Sequence, residues 1–547
     1  MKLTMKFFVA ALLAAAACNS SPAAEKTVKI SKRYLNIPVS HQTQRRGLTF
    51  EADGVDKLSV AVRIATEEPD YWVFKDMSAY QGKRMTMHYD GPEGALEKVF
   101  FADTIVGESK MYKETNRPQF HFSTRRGWIN DPNGLLYHNG EYHLFYQHNP
   151  FEREWGNMHW GHAVSKDLLH WTELNDALYP DSMGTMFSGS AVVDVDNTSG
   201  FGTKENPPMV LAYTIDGEFE TQGIAYSMDH GRTIVKYTGN PIVDSHEKWQ
   251  TRDTRDPRVF WYAPGRHWVM VLNERNGHSI YTSDNMKEWM YQSHITGFWE
   301  CPDLIELPVD GDVNNKKWVM YGASATYMIG DFDGKTFAPI GGKYRYAAGT
   351  IYAAQTITGM PDGRRVQIGW GRIAHPGMPF RGMMLMPTEL SLKTTRDGVR
   401  MVSWPIDEIK ELFQQKYSSQ RMMTETEVNR VLKENAGEDE LLHVSAKLHL
   451  SYATSAGLRL DNQNIVEYDL NHNTINGWFY SPQNPTSMSL DIDVYVDRTS
   501  VEVFVDGGLF SYSLERRLDG EKRGMVFWGT DIAVSDVRID RIKSIWE

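Results

Sequence analysis

Three acids, each set in a short, stiff, aromatic-flanked run, are where this sequence carries chemistry. Asp131 lies in Trp128-Ile129-Asn130-Asp131-Pro132-Asn133-Gly134, between two amides and ahead of a proline. Asp256 lies in Thr254-Arg255-Asp256-Pro257-Arg258, again followed by proline and flanked by arginines. Glu300 lies in Trp299-Glu300-Cys301-Pro302-Asp303. Sugar chemistry needs such parts: fixed carboxylates, amides to hydrogen-bond hydroxyls, and a flat apolar face to meet a ring. Asn-Asp-Pro-Asn-Gly alone reads as a tight turn, because those residues are the commonest in turns. Two further acid-bearing segments shift the balance toward a site.

Composition narrows the class. The chain has 547 residues, room for three or four domains at ~100–200 residues each. Its formal charge is −12, with no basic patch that would track phosphates, so nucleic acid is not the expected partner. Sixteen tryptophans and a 12% aromatic share suit a carbohydrate binder, although a large aromatic β core accounts for part of them. Lys2 and Lys6 precede an apolar run from Phe7 to Ala17 that is too short to span a bilayer, so 1–24 reads as an export signal. Ala15-Ala16-Ala17 leads into Cys18, which is similar to a bacterial lipoprotein processing site. Ala15 stands where leucine is usual, leaving plain cleavage as the alternative. The expected location is periplasmic or outer-membrane, in a Gram-negative bacterium, with membrane attachment solely through a lipid at Cys18. Cys301 is the other cysteine, so no disulfide framework is expected.

The elements that must position the acids read as strands. Between 25 and 117, Leu58, Val60, Val62 and Ile64 alternate with other residues, the period of a half-buried strand, and a small N-terminal β domain is expected. From 118 a loose repeat begins. Ser165-Lys166-Asp167-Leu168-Leu169-His170-Trp171 is echoed by Ser227-Met228-Asp229-His230-Gly231-Arg232-Thr233 and by Ser283-Asp284-Asn285-Met286-Lys287-Glu288-Trp289. Repeats of short strands at this spacing suggest propeller blades, about five between 118 and 405, although the period alone does not separate five from six. Helical spacing after Pro405 predicts a short linker helix within 406–417. Alternation returns in Leu442–Leu448 and Val501–Val505, so 418–547 reads as a second β unit.

With all three acid runs in view, the chain resembles glycoside hydrolase family 32, whose signature boxes read W-x-N-D-P-N-G, R-D-P and E-C-P in this order. The likeness extends through Leu144–Pro150, Trp155–His162, Phe187–Ser190 and Tyr352–Gln355, and covers roughly 118 to 547. It implies an all-β chain: a five-bladed propeller, a C-terminal β-sandwich, and here an extra N-terminal β domain. It implies Asp131 as nucleophile, Glu300 as acid and then base, and Asp256 as stabiliser of the transition state, the two-carboxylate scheme of retaining glycosidases. Asn130, Gln147 and Ser188 are expected to bond fructose hydroxyls, and Trp128, Trp155 and Phe187 to wall the pocket. Arg255 is expected to fix a hydroxyl and keep Asp256 ionised. No cofactor or metal is implied, and His159 and His162 are read as structural. Ala347–Ile351 and Thr388 depart from the family pattern and leave linkage preference open. The expected activity is release of fructose from inulin, levan or sucrose, by exo attack. The alternatives are endo attack, an arabinan- or xylan-active propeller hydrolase, and a non-catalytic fructan-binding lipoprotein.

Overall fold

The structure is a computed structural model and describes residues 24–54, 56–437, 441–450, 454–480, 488–519 and 522–546; the expected signal and Cys18 lie outside them. Five antiparallel meanders in chain order form the blades of the propeller, the fourth and fifth joined in one ten-stranded sheet. Their first strands are Gly127–His138, Thr185–Val193, Thr254–Tyr262, Asp303–Val309 and Ile351–Thr356. Blade four joins blade five through Val309 and Leu392. The ring closes where the Leu135 N–H donates to Gln355 Oε1 at 3.1 Å, while Gln355 Nε2 reaches the Gly189 carbonyl at 2.9 Å. One side chain thus ties blades five, one and two.

Why these runs are strands shows best in Met209–Asp216, the second strand of blade two. Met209, Leu211, Tyr213 and Ile215 enter the core shared with blade one, whereas Val210 and Ala212 enter the core shared with blade three. A strand with both faces buried needs a near-continuous apolar run, and successive residues serve opposite faces. The repeated Ser-x-Asp/Asn motif is the turn leaving the third strand of blades one, two and three. Ser165 Oγ accepts the N–H groups of Asp167 and Leu168, and Ser283 Oγ those of Asn285 and Met286. Asp167 and Asn285 each cap two further N–H groups, so the echo in the sequence is a recurring side-chain-closed turn.

The C-terminal sandwich packs an eight-stranded sheet on a five-stranded one around a single apolar cluster. Ala347–Gly349, between blades four and five, pairs in parallel with its strand Phe510–Glu515 and docks the propeller edge to edge. The expected linker helix is only a 3₁₀ segment, Asp407–Leu412; Phe413–Ser419 is already a sandwich strand paired to Ala533–Ile542. Apolar spacing in so short a run does not distinguish a helical turn from the approach to a strand. An unanticipated helix, Glu425–Asn435, opens with a capping box between Thr424 and Glu427. The N-terminal region forms a four-stranded and a three-stranded sheet around their own core, with Leu58, Val60, Val62 and Ile64 all buried in it.

Candidate active site

Each inner strand or its lead-in delivers a polar side chain to one cavity of about 220 Å³, lined by Asp131, Ser188, Asp256, Glu300 and Tyr352 among others. Four of the five inner strands change register there. The irregularities fall between Ile129 and Pro132, Phe187 and Gly189, Arg255 and Arg258, and Tyr352 and Gln355. Bulges bend a strand and re-aim its side chains, and here they bracket Asp131, Ser188 and Asp256 and directly follow Tyr352. The Asn-Asp-Pro-Asn-Gly run is therefore not a turn but a doubly irregular stretch of one strand. Gly134, at φ +54°, lets that strand lie against its neighbours, since a Cβ would come within 2.9 Å of the Phe145 ring. Asp256, Glu300 and Cys301 also hold positive φ, at +66°, +50° and +41°. Non-glycine residues persist in that region only when their surroundings over-determine them, as at a working site.

The three acids are tightly partnered. Asp131 accepts from Ser188 Oγ at 2.7 Å and Asn130 Nδ2 at 3.1 Å. Glu300 accepts from Arg255 at 2.8 Å and from the Tyr352 hydroxyl at 2.6 Å, and its own N–H donates to Asn273. Asp256 accepts the Cys301 N–H at 2.9 Å. The Cys301 thiol lies 3.5 Å from a carboxylate oxygen of both Asp131 and Asp256, so it bridges the pair rather than sitting inert. Burial, then the Glu300 and Asp131 charges, push the Asp256 carboxyl up to about 8. Burial also raises Asp131, with Glu300 adding to it. Burial and the same acids hold the Cys301 thiol protonated. Carboxyls crowded in this way cannot all carry charge, so near neutral pH the cluster keeps a shared proton.

Most of the expected site residues meet here. Asn130, Gln147, Trp155, Phe187, Ser188 and Arg255 line the cavity with the acids. Two differ from expectation. Trp128 stands behind the lining, its indole N–H donating to Asn130 Oδ1 at 2.7 Å and its ring edge-on to Trp370, so it braces an amide instead of walling the pocket. Arg255 bonds Glu300, Glu220 and Asp253, not Asp256, which stays raised rather than held ionised. Tyr352 and Trp370 complete the wall and were not singled out as site residues, although Tyr352 opens a segment the sequence had flagged. His159 and His162 face opposite sides of their strand, one toward Phe151 and Tyr179, the other onto Phe145 and His143, so they share no ligand. Among the described residues no three His, Cys, Asp or Glu side chains gather to hold a metal.

A propeller with a sandwich behind it and three acids at one mouth of the ring define a glycoside hydrolase. The profile described as glycosyl hydrolases family 32 N-terminal domain matches residues 121–405, and the chain belongs to that family. It is 38% identical to a levanase of Bacillus subtilis over 82% of this chain and 74% of that one. It is 34% identical to an extracellular exo-inulinase of Aspergillus niger over 81% and 97%. The solved structure of an exo-inulinase from Aspergillus awamori superposes with a TM-score of 0.69 at 30% identity, covering 80% of this chain and all of the other.

Proposed function

We propose that the protein is a retaining β-fructosidase that releases fructose from the ends of fructans or from sucrose. Asp131 attacks the anomeric carbon while Ser188 and Asn130 hold its carboxylate in line. Glu300 gives a proton to the leaving oxygen, then takes one from water as the fructosyl-enzyme is hydrolysed. Arg255 and the Tyr352 hydroxyl orient Glu300. Asp256 hydrogen-bonds the ring as positive charge develops, a contact that strengthens on the way to the transition state. The observation that carries this reading is the convergence of three acids from three blades on one open-mouthed cavity. The cavity's size and its wall of Trp155, Phe187 and Trp370 favour a chain end over a mid-chain segment, hence exo attack.

The chain divides, in this reading, into 25–117, the catalytic propeller 118–405, a joint at 406–412 and the sandwich beyond. Residues 1–24 direct export, with Cys18 as the lipid-bearing residue of an outer-membrane or periplasmic enzyme. The relatives' names, a levanase and an extracellular exo-inulinase, support both substrate and export. Incubation with inulin, levan, sucrose and arabinan, with products followed over time, tests the activity. Free fructose as the sole early product from inulin and levan, and fructose with equimolar glucose from sucrose, are expected; oligosaccharides first would mean endo attack, and release from arabinan alone would overturn the substrate class. Asp131→Ala should abolish turnover with the fold intact, and wild-type-like kinetics from it would remove the nucleophile.

A further inference from the structure

Trp155, 53% exposed, stands at the rim of the cavity on the loop between the second and third strands of blade one. That loop is held almost residue by residue by the N-terminal sheets. Phe151 is buried in the N-terminal core, its ring stacked on Phe50 at 6.0 Å. The Glu152 side chain has no exposed surface; it accepts the Arg63 N–H at 2.7 Å and the Arg63 guanidinium at 2.6 Å, and pairs with Arg45 at 3.2 Å. The Arg153 N–H donates to the Tyr71 hydroxyl, and Glu154 pairs with Arg63. Arg45 donates to the carbonyl of Trp155 itself at 3.0 Å. Beyond it, the Asn157 amide takes the Ala61 N–H at 2.7 Å and returns a bond to the Ala61 carbonyl at 2.8 Å, as a neighbouring strand would.

We propose that the N-terminal β region is a positioning arm of the active site. It holds Trp155 at the rim from both sides, and so sets affinity for the part of the substrate beyond the ring held by the acids. Arg45 and Arg63 are its positioning residues. The physical reason is pre-organisation: a rim loop left to itself must be ordered each time substrate binds, and that ordering weakens binding. The acids stand on other strands and keep their partners, so the chemical step is spared. The inference rests on the fructosidase reading for its substrate arm only.

The test compares the full chain with an Arg45→Ala, Arg63→Ala double variant. KM for a long fructan should rise about 5–10-fold with kcat within about twofold, and KM for a small aryl fructoside should move less. Trp155→Ala, which strips part of the cavity wall itself, should raise the fructan KM at least as much, and adding the double variant to it should cost little more, since all three changes remove one interaction. Independently of activity, amide hydrogen exchange across 150–158 should accelerate in the double variant while the flanking strands stay protected. Unchanged loop protection, or an equal fall in kcat on both substrates, would overturn the proposal. Should the double variant not fold, Glu152→Gln, which keeps the shape and weakens both ion pairs, carries the same measurements. A wild-type enzyme that left fructans intact would defeat the fructosidase reading, and hydrogen exchange would still decide whether the N-terminal region holds the loop.

Discussion

At the residue scale the site is a problem of charge placed where charge is costly. Burial and neighbouring carboxylates raise the Asp256 carboxyl from 3.8 to about 8. Below the lower value the folded and unfolded chains hold that proton alike. As pH climbs toward the upper one the unfolded chain ionises and the folded site resists, so the site subtracts stability increasingly, and fully above about 8. Asp256→Asn should therefore melt higher than wild type, by a margin that widens between these two pH values, while losing orders of magnitude in kcat. A margin independent of pH in calorimetry would contradict it. The same shared proton predicts that kcat/KM falls on the alkaline side with an apparent pKa near 8 that belongs to the cluster. Glu300→Ala should flatten that limb and lose about 10²–10⁴-fold on natural sugars, less on aryl fructosides whose leaving groups need no proton. Equal losses on both substrate types would assign the acid elsewhere.

At the scale of elements, the blades must hold register for five inner strands to aim at one point. Asp303 at the start of the fourth inner strand does much of this. It pairs with buried Arg258 from blade three at 2.9 Å, and accepts the Thr356 N–H and hydroxyl from blade five at 2.8 Å each. Tyr321 donates to it at 3.0 Å, and Arg258 also donates to Thr356. Asp303→Ala leaves a buried guanidinium without its carboxylate, so a loss of about 3–5 kcal/mol in denaturant unfolding is expected. Replacing Arg258 and Asp303 together by Met and Leu should cost less than the single change, because what is expensive is the uncompensated charge. A single-variant loss below that of the double would show the pair to be peripheral.

Across the whole molecule, propeller and sandwich meet through charged contacts that respond to pH. His121, just ahead of the first blade, sits fully buried between Asp497 at 2.8 Å and Glu502 at 2.5 Å. Burial pulls its pKa down, but the two carboxylates outweigh this and hold it at about 9. The stabilisation is complete below the ordinary histidine value of 6.5 and is lost as pH rises through about 9. The wild type should thus lose melting temperature over that interval through this site, and His121→Gln should be less stable at neutral pH with a flatter decline. Parallel curves for the two proteins would refute the link.

The sequence alone determined the three acids, the strand period, the blade repeat and the all-β class, because these are local: residue type, spacing and side-chain alternation are written along the chain. It missed the helix Glu425–Asn435 and overextended the linker helix, where short apolar spacing is ambiguous. What only the tertiary structure decided is which side chain meets which acid. Bulges, not composition, turn Asp131, Ser188 and Asp256 inward, and the same geometry carries Arg255 to Glu300 and leaves Trp128 behind Asn130. The bond from Arg45 to Trp155 joins residues 110 positions apart. No local pattern encodes such a contact, because it exists only after two separate cores have formed and been packed against each other.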